Sequence, residues 1–141
     1  MPLISIALAA ALAAAQQRPP REESPVPRDV LANVGGGNSD EEIERTIAAA
    51  GAHPLGSADN PIRAAGPEGA HAYLARLRCA DGKSPRIGTP REGGVGAYGT
   101  VLQLYPLDCG AAAPGKVDLL VDLYHEEHVE TRAPAGFGGQ R

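Results

Sequence analysis

Whether Cys79 and Cys109 are joined constrains this 141-residue chain more than any other feature, because they are its only cysteines and lie about thirty residues apart. The amino terminus bears on the question. An apolar run from Leu3 to Ala15 ends in Ala13, Ala14 and Ala15 and turns polar at Gln16, the pattern of a secretory leader with an A-x-A cleavage site after Ala15. The run is about thirteen residues long, whereas a bilayer-spanning helix needs roughly twenty, so residues 1–15 read as a cleaved signal peptide. The stretch before it carries no Lys or Arg. No cysteine stands at the cleavage point and no paired arginines precede the run, so neither lipid anchoring nor twin-arginine export is supported.

An exported chain meets an oxidising compartment, where two cysteines are read as one disulfide rather than as a redox or metal pair. Closing a loop of about thirty residues restricts the unfolded chain by roughly 3–4 kcal/mol in the chain-entropy account. The expected location is periplasmic or secreted, with no stable membrane insertion after cleavage.

What such a bridge would reinforce is a modest core. Apolar residues make up 43% of the chain but aromatic ones only 4%, with no Trp and a single Phe, so the interior has to be aliphatic and fits one domain. A net charge of −4 offers no basic stripe, which argues against nucleic acid as a partner. From Gln16 to Asn38 the composition shifts to Pro, Arg, Glu, Gly and Asn with little to bury, the signature of a disordered spacer over residues 16–38. Residues 39–132 then form the domain and residues 133–141 a flexible tail.

Ser39 followed by Glu42 is a capping box, and Asp40 and Glu41 favour the positive end of the helix dipole. A helix is therefore expected to run from there to Gly51 and Pro54, with Ile43, Ile47 and Ala50 on the stripe that lies against a sheet. Strands are expected over Asn60–Ala64 and Ala70–Cys79, joined as a hairpin by Gly66, Pro67, Glu68 and Gly69. Tyr73, Ala75, Leu77 and Cys79 share one parity there, while a helix over Glu68–Arg78 is the rival reading. Val101–Leu107 is the next strand, with Pro106 expected to end it early or mark an edge. Val117–His125 alternates most regularly. With each cysteine at the C-terminal end of its strand, a bridge implies that those two strands are not simple hairpin partners. The fold class is α+β: one N-terminal helix packed on a mostly antiparallel sheet of about four strands, with one disulfide.

Two motifs invite a chemical reading. Gly94, Gly96 and Gly99 spell GxGxxG, but a Pro/Gly/Arg loop precedes them and a strand follows, the reverse of a dinucleotide site. No HRD or DFG motif accompanies them, and Lys116 follows a turn, so no kinase loop is implied either. The second motif is His125, Glu126, Glu127, His128, which fits no zinc-protease template. His125 and His128 are the candidate metal ligands, with Asp122 or Glu130 as further donors and zinc or copper as the ion. Convergence of Asp122, His125 and His128 would favour that reading; an extended chain would set the two imidazoles on opposite sides. Ser57 and Ser84 lack a GxSxG setting, and His53 and His71 read as surface residues. Arg76 or Arg78 is expected to pair across strands with Asp118 or Asp122. No cofactor is implied.

The segments HPLGSADNPIR, AYLARLRCADG, YPLDCG and DLYHEEHVE together resemble small uncharacterised exported proteins of GC-rich proteobacteria. The resemblance covers most of the domain and implies export and the cysteine pair, while its motifs carry no known chemistry. The expected function is a non-enzymatic exported binding or interaction protein whose partner is an envelope protein or a small ligand. The alternative is a metal-binding or weakly hydrolytic protein using the His125/His128 carboxylate cluster.

Overall fold

The computed structural model describes residues 39–139. The expected leader (1–15) and spacer (16–38) lie outside the described residues.

Helix α1, Asp40–Ala50, begins at Ser39, whose hydroxyl accepts the Glu42 amide while the Glu42 carboxylate accepts the Ser39 amide. This reciprocal pairing satisfies two donors that the first turn would otherwise leave open. Ile43 and Ile47 are half-buried and only Ala50 is buried. The core cluster contains no α1 residue, so the helix expected on the sheet is not this one.

That place belongs to α2, Gly66–Arg76, across the segment expected to be the strand Ala70–Cys79. Pro67 and Glu68 in the first turn suit a helix start. Ala70, Tyr73, Leu74 and Leu77 recur at i, i+3, i+4 and i+7, and all four are buried, whereas Ala75 is exposed. The alternation of Tyr73, Ala75, Leu77 and Cys79 therefore misleads: an Ala-rich run satisfies both periods, and the helical one places Leu74 inside. The preceding strand β1 is only Ile62–Arg63, and it pairs in parallel with β5 rather than in a hairpin.

The remaining strands are β2 (Arg86–Ile87), β3 (Arg91–Val95), β4 (Val101–Asp108) and β5 (Lys116–Asp122). Their order is β1-β5-β4-β2, with β3 also paired to β4 and every pairing but β1–β5 antiparallel. Strands β2 and β3 occupy what reads in sequence as one loop. The face toward α2 presents Tyr105 opposite Leu119 and Leu107 opposite Val117, joined in the core by Ile62, Val121 and the helix residues. On the other face β3 runs close over Leu102 and Leu120. A Cβ on Gly93 would collide with a Leu120 methyl, and one on Gly96 would stand 2.7 Å from Leu102. Gly96, with Gly94 and Gly99 at positive φ, is what the GxGxxG pattern provides here, and Gly93 just before it serves the same end: close approach and tight turning.

Pro106 neither ends β4 nor marks an edge, since the strand continues to Asp108 between two partners. Its carbonyl accepts the Gly88 amide, and a strand residue's N and O point to the same side. The missing donor thus faces the break between β2 and β3, where no ladder bond is lost. Strand β5 stops at Asp122 rather than His125, and the chain then turns, with the His128 amide on the His125 carbonyl. The closing segment, expected as a tail, brings Pro134 and Phe137 into the interior and exchanges two backbone bonds between Arg78 and Gly138.

Cys79 and Cys109 are bridged, with Cα atoms 5.8 Å apart. Because α2 has already ended, Cys79 precedes β2 instead of finishing a strand, and Cys109 follows β4. The bridge closes the open end of an antiparallel unit, which is where paired strands bring their ends together. The topology expected from strand-end cysteines falls with the strand itself.

Candidate functional site

Two buried carboxylates organise the segment that follows β5. Asp122 lies on the polar parity of its strand yet has no exposed surface. A buried charge needs compensation. Oδ1 accepts the Tyr124 amide at 3.1 Å, and Oδ2 accepts the Thr100 hydroxyl and lies 3.4 Å from His125 Nε2. The His125 contact is an ion-pair distance without hydrogen-bond geometry. Burial pushes the Asp122 pKa up, but His125, Thr100 and the Tyr124 amide together outweigh it and hold the carboxyl below the usual range. The Tyr98 ring meets the imidazole edge-on at 5.0 Å between centroids.

Glu130, 4% exposed, is the second centre. Its Oε1 accepts the Thr131 and Arg132 amides and Arg132 Nε at 2.9 Å, and its Oε2 accepts Arg132 Nη2 at 3.0 Å and lies 3.5 Å from His128 Nε2. Burial raises its pKa, yet the Arg132 fork and amide prevail and lower it to about 2. The surrounding chain is fastened to α2. The Tyr73 hydroxyl donates to the Arg132 carbonyl at 2.8 Å, and Arg76 Nη2 donates to the Glu130 carbonyl at 3.0 Å while its guanidinium stands over the Tyr73 ring. Burial, with the Glu130 charge next in weight, raises the Tyr73 pKa and keeps the phenol protonated.

The structure thus brings Asp122 to His125 and Glu130 to His128, two separate pairs. Among the described residues no group of three His, Cys, Asp or Glu side chains is placed to hold a metal ion. Nor does the first cluster form a nucleophile relay. Thr100 gives its proton to Asp122, so the carboxylate rather than the imidazole stands in the middle, whereas activation needs the base against the hydroxyl. Ser57 donates to the Pro54 carbonyl. Arg76 and Arg78 do not reach Asp118 or Asp122 across strands; the cross-strand pairs are Arg86 with Asp108 at 2.8 Å and Arg91 with Asp118 at 3.3 Å.

Between the start of α2 and the turn after β5 lies a crevice of about 200 Å³, walled by Ala64, Ala65, Gly69 and Ala72 and bordered by Arg63, Arg76, His128, Val129 and Glu130. Burial first, and the Arg63 charge next, push the His128 pKa down against the pull of Glu130. Arg76 Nε is buried without a protein acceptor, a condition that costs about 1–3 kcal/mol. A larger hollow of about 370 Å³ beside β2 is bordered by Arg86, Ile87, Pro106 and Lys116, but the side chain of Arg86 there is 80% exposed and already paired with Asp108.

Sequence reasoning missed Thr100, Tyr98, Arg63 and Arg132, and it counted Asp122 and Glu130 among solvent-facing or chelating carboxylates. The available signal for Glu130 was Arg132 two positions on. No protein-family profile, curated protein or solved structure matches the chain.

Proposed function

We propose that the chain is a non-enzymatic exported protein, periplasmic or secreted, that acts by binding a small ligand or an envelope partner. The observation that carries this reading is the Cys79–Cys109 bridge at the edge of the core, since a structural disulfide points to folding in an oxidising compartment. Among the described residues no helix is long and apolar enough to cross a membrane. The non-enzymatic half of the reading draws support from Asp122 and Glu130, whose hydrogen bonds are engaged in holding the fold.

The experiment is to alkylate free thiols in intact expressing cells, release the envelope contents by osmotic shock, and determine the mass of the protein in each fraction. The expected outcome is a shock-released form beginning at Gln16 with no alkylated cysteine. A cytoplasmic form beginning at Met1 with both cysteines alkylated would overturn the proposal.

A further inference from the structure

We infer that the crevice between α2 and the turn after β5 is a binding site for a carboxylate carried on a short aliphatic group, held by Arg63 and Arg76. The inference rests on the binding reading above and names its ligand class. Neither guanidinium forms an ion pair among the described residues, and Arg63 makes no side-chain hydrogen bond there. Arg76 spends Nη2 on the Glu130 backbone carbonyl, which carries no formal charge, and keeps a buried Nε with no protein acceptor. Two uncompensated cations on one small crevice attract an anion, and a guanidinium fork matches a carboxylate in geometry.

The lining also limits the kind of anion. Glu130 borders the crevice with its own carboxylate already satisfied by Arg132, so the charges of Arg63 and Arg76 stay unmatched there. A carboxylate offers its two oxygens to the two guanidiniums and turns its carbon stub to the walls, whereas the further oxygens of a phosphate would meet those walls without a donor. The Ala64, Ala65, Gly69 and Ala72 walls offer an aliphatic stub apolar contact and no hydrogen-bonding side chain. A free carboxylic acid and the C-terminal carboxylate of a peptide share this chemistry.

The test titrates the full chain with sodium propionate, with N-acetylalanine as a peptide-terminus mimic, with N-acetylalaninamide and with inorganic phosphate, all at constant ionic strength. The readout is the arginine Nε–H NMR signals. Saturable shifts with propionate or N-acetylalanine, and none with the amide, are expected; the tighter of the two acids identifies the source. R63Q should weaken binding about tenfold or more, as expected for losing a charge-assisted bond. A72L should abolish binding by filling the crevice from an exposed helix position, and R86Q should leave it unchanged. An R76Q variant removes a tie to Glu130 and can fail to fold, so the inference is judged on R63Q and A72L.

Absence of saturable binding by either acid would overturn it, as would phosphate binding at least as tightly or binding that survives both variants. Such a result would leave the thiol and fractionation outcome untouched. Conversely, a cytoplasmic, reduced chain would sink the export reading without altering these titrations.

Discussion

A carboxylate without exposed surface has to be neutralised by its surroundings, and Asp122 and Glu130 achieve this with different means. Glu130 relies on Arg132, whose guanidinium and amide outweigh burial and hold its pKa at about 2 against a usual 4.5. A folded-state pKa below the unfolded one means stability that is present above about pH 4.5 and is lost as pH falls toward 2. The shift corresponds to on the order of 3 kcal/mol. Urea unfolding followed across that window should show the wild-type midpoint falling with pH, while E130Q starts lower by that amount and changes less. Asp122 combines a hydroxyl from a distant turn with the Tyr124 amide and the neighbouring His125. T100V should cost about 1–3 kcal/mol by removing a donor to a buried charge, and T100S should recover most of it; equal stability of all three proteins would discount the bond. Neither centre was legible as a centre in the sequence. Asp122 occupies the polar parity of a clearly alternating strand, and its partner Thr100 stands 22 residues away, so no local pattern announces the pair.

Among the elements, what was legible depended on how local the signal is. The Ser39–Glu42 cap is complete within four residues and reads directly, as do β4 and most of β5, where one face is plainly apolar. Helix α2 was not, because its short Ala-rich sequence alternates and also repeats at helical spacing, and only packing against Leu107, Leu119 and Val121 decides between them. Strands β2 and β3 were hidden for another reason: their residues are mostly exposed, and pairing with β4 makes them strands. Substitution distinguishes the two readings of α2. L74A should cost about 2–5 kcal/mol as a buried truncation, while A75Q should fall within about 0.5 kcal/mol as a surface change. A strand would reverse this order, and chemical denaturation of the two variants checks it.

For the molecule as a whole, the core is small enough that the bridge matters. Among the described residues the cluster has 11 members, three of them aromatic, Tyr73, Tyr105 and Phe137, and domains of this kind are stable by about 5–15 kcal/mol. A C79S/C109S double substitution should lower stability by roughly 3–4 kcal/mol, with a matching drop in thermal midpoint when the wild type is reduced. An unchanged midpoint on reduction would show that the interior suffices. The bridge also makes the stretch from Cys79 to Cys109 a closed ring in covalent terms. A protease that cuts once in the turn between β3 and β4 would open the ring without dividing the molecule. The nicked protein would keep its mass on a non-reducing gel and separate into two pieces only after the disulfide is broken.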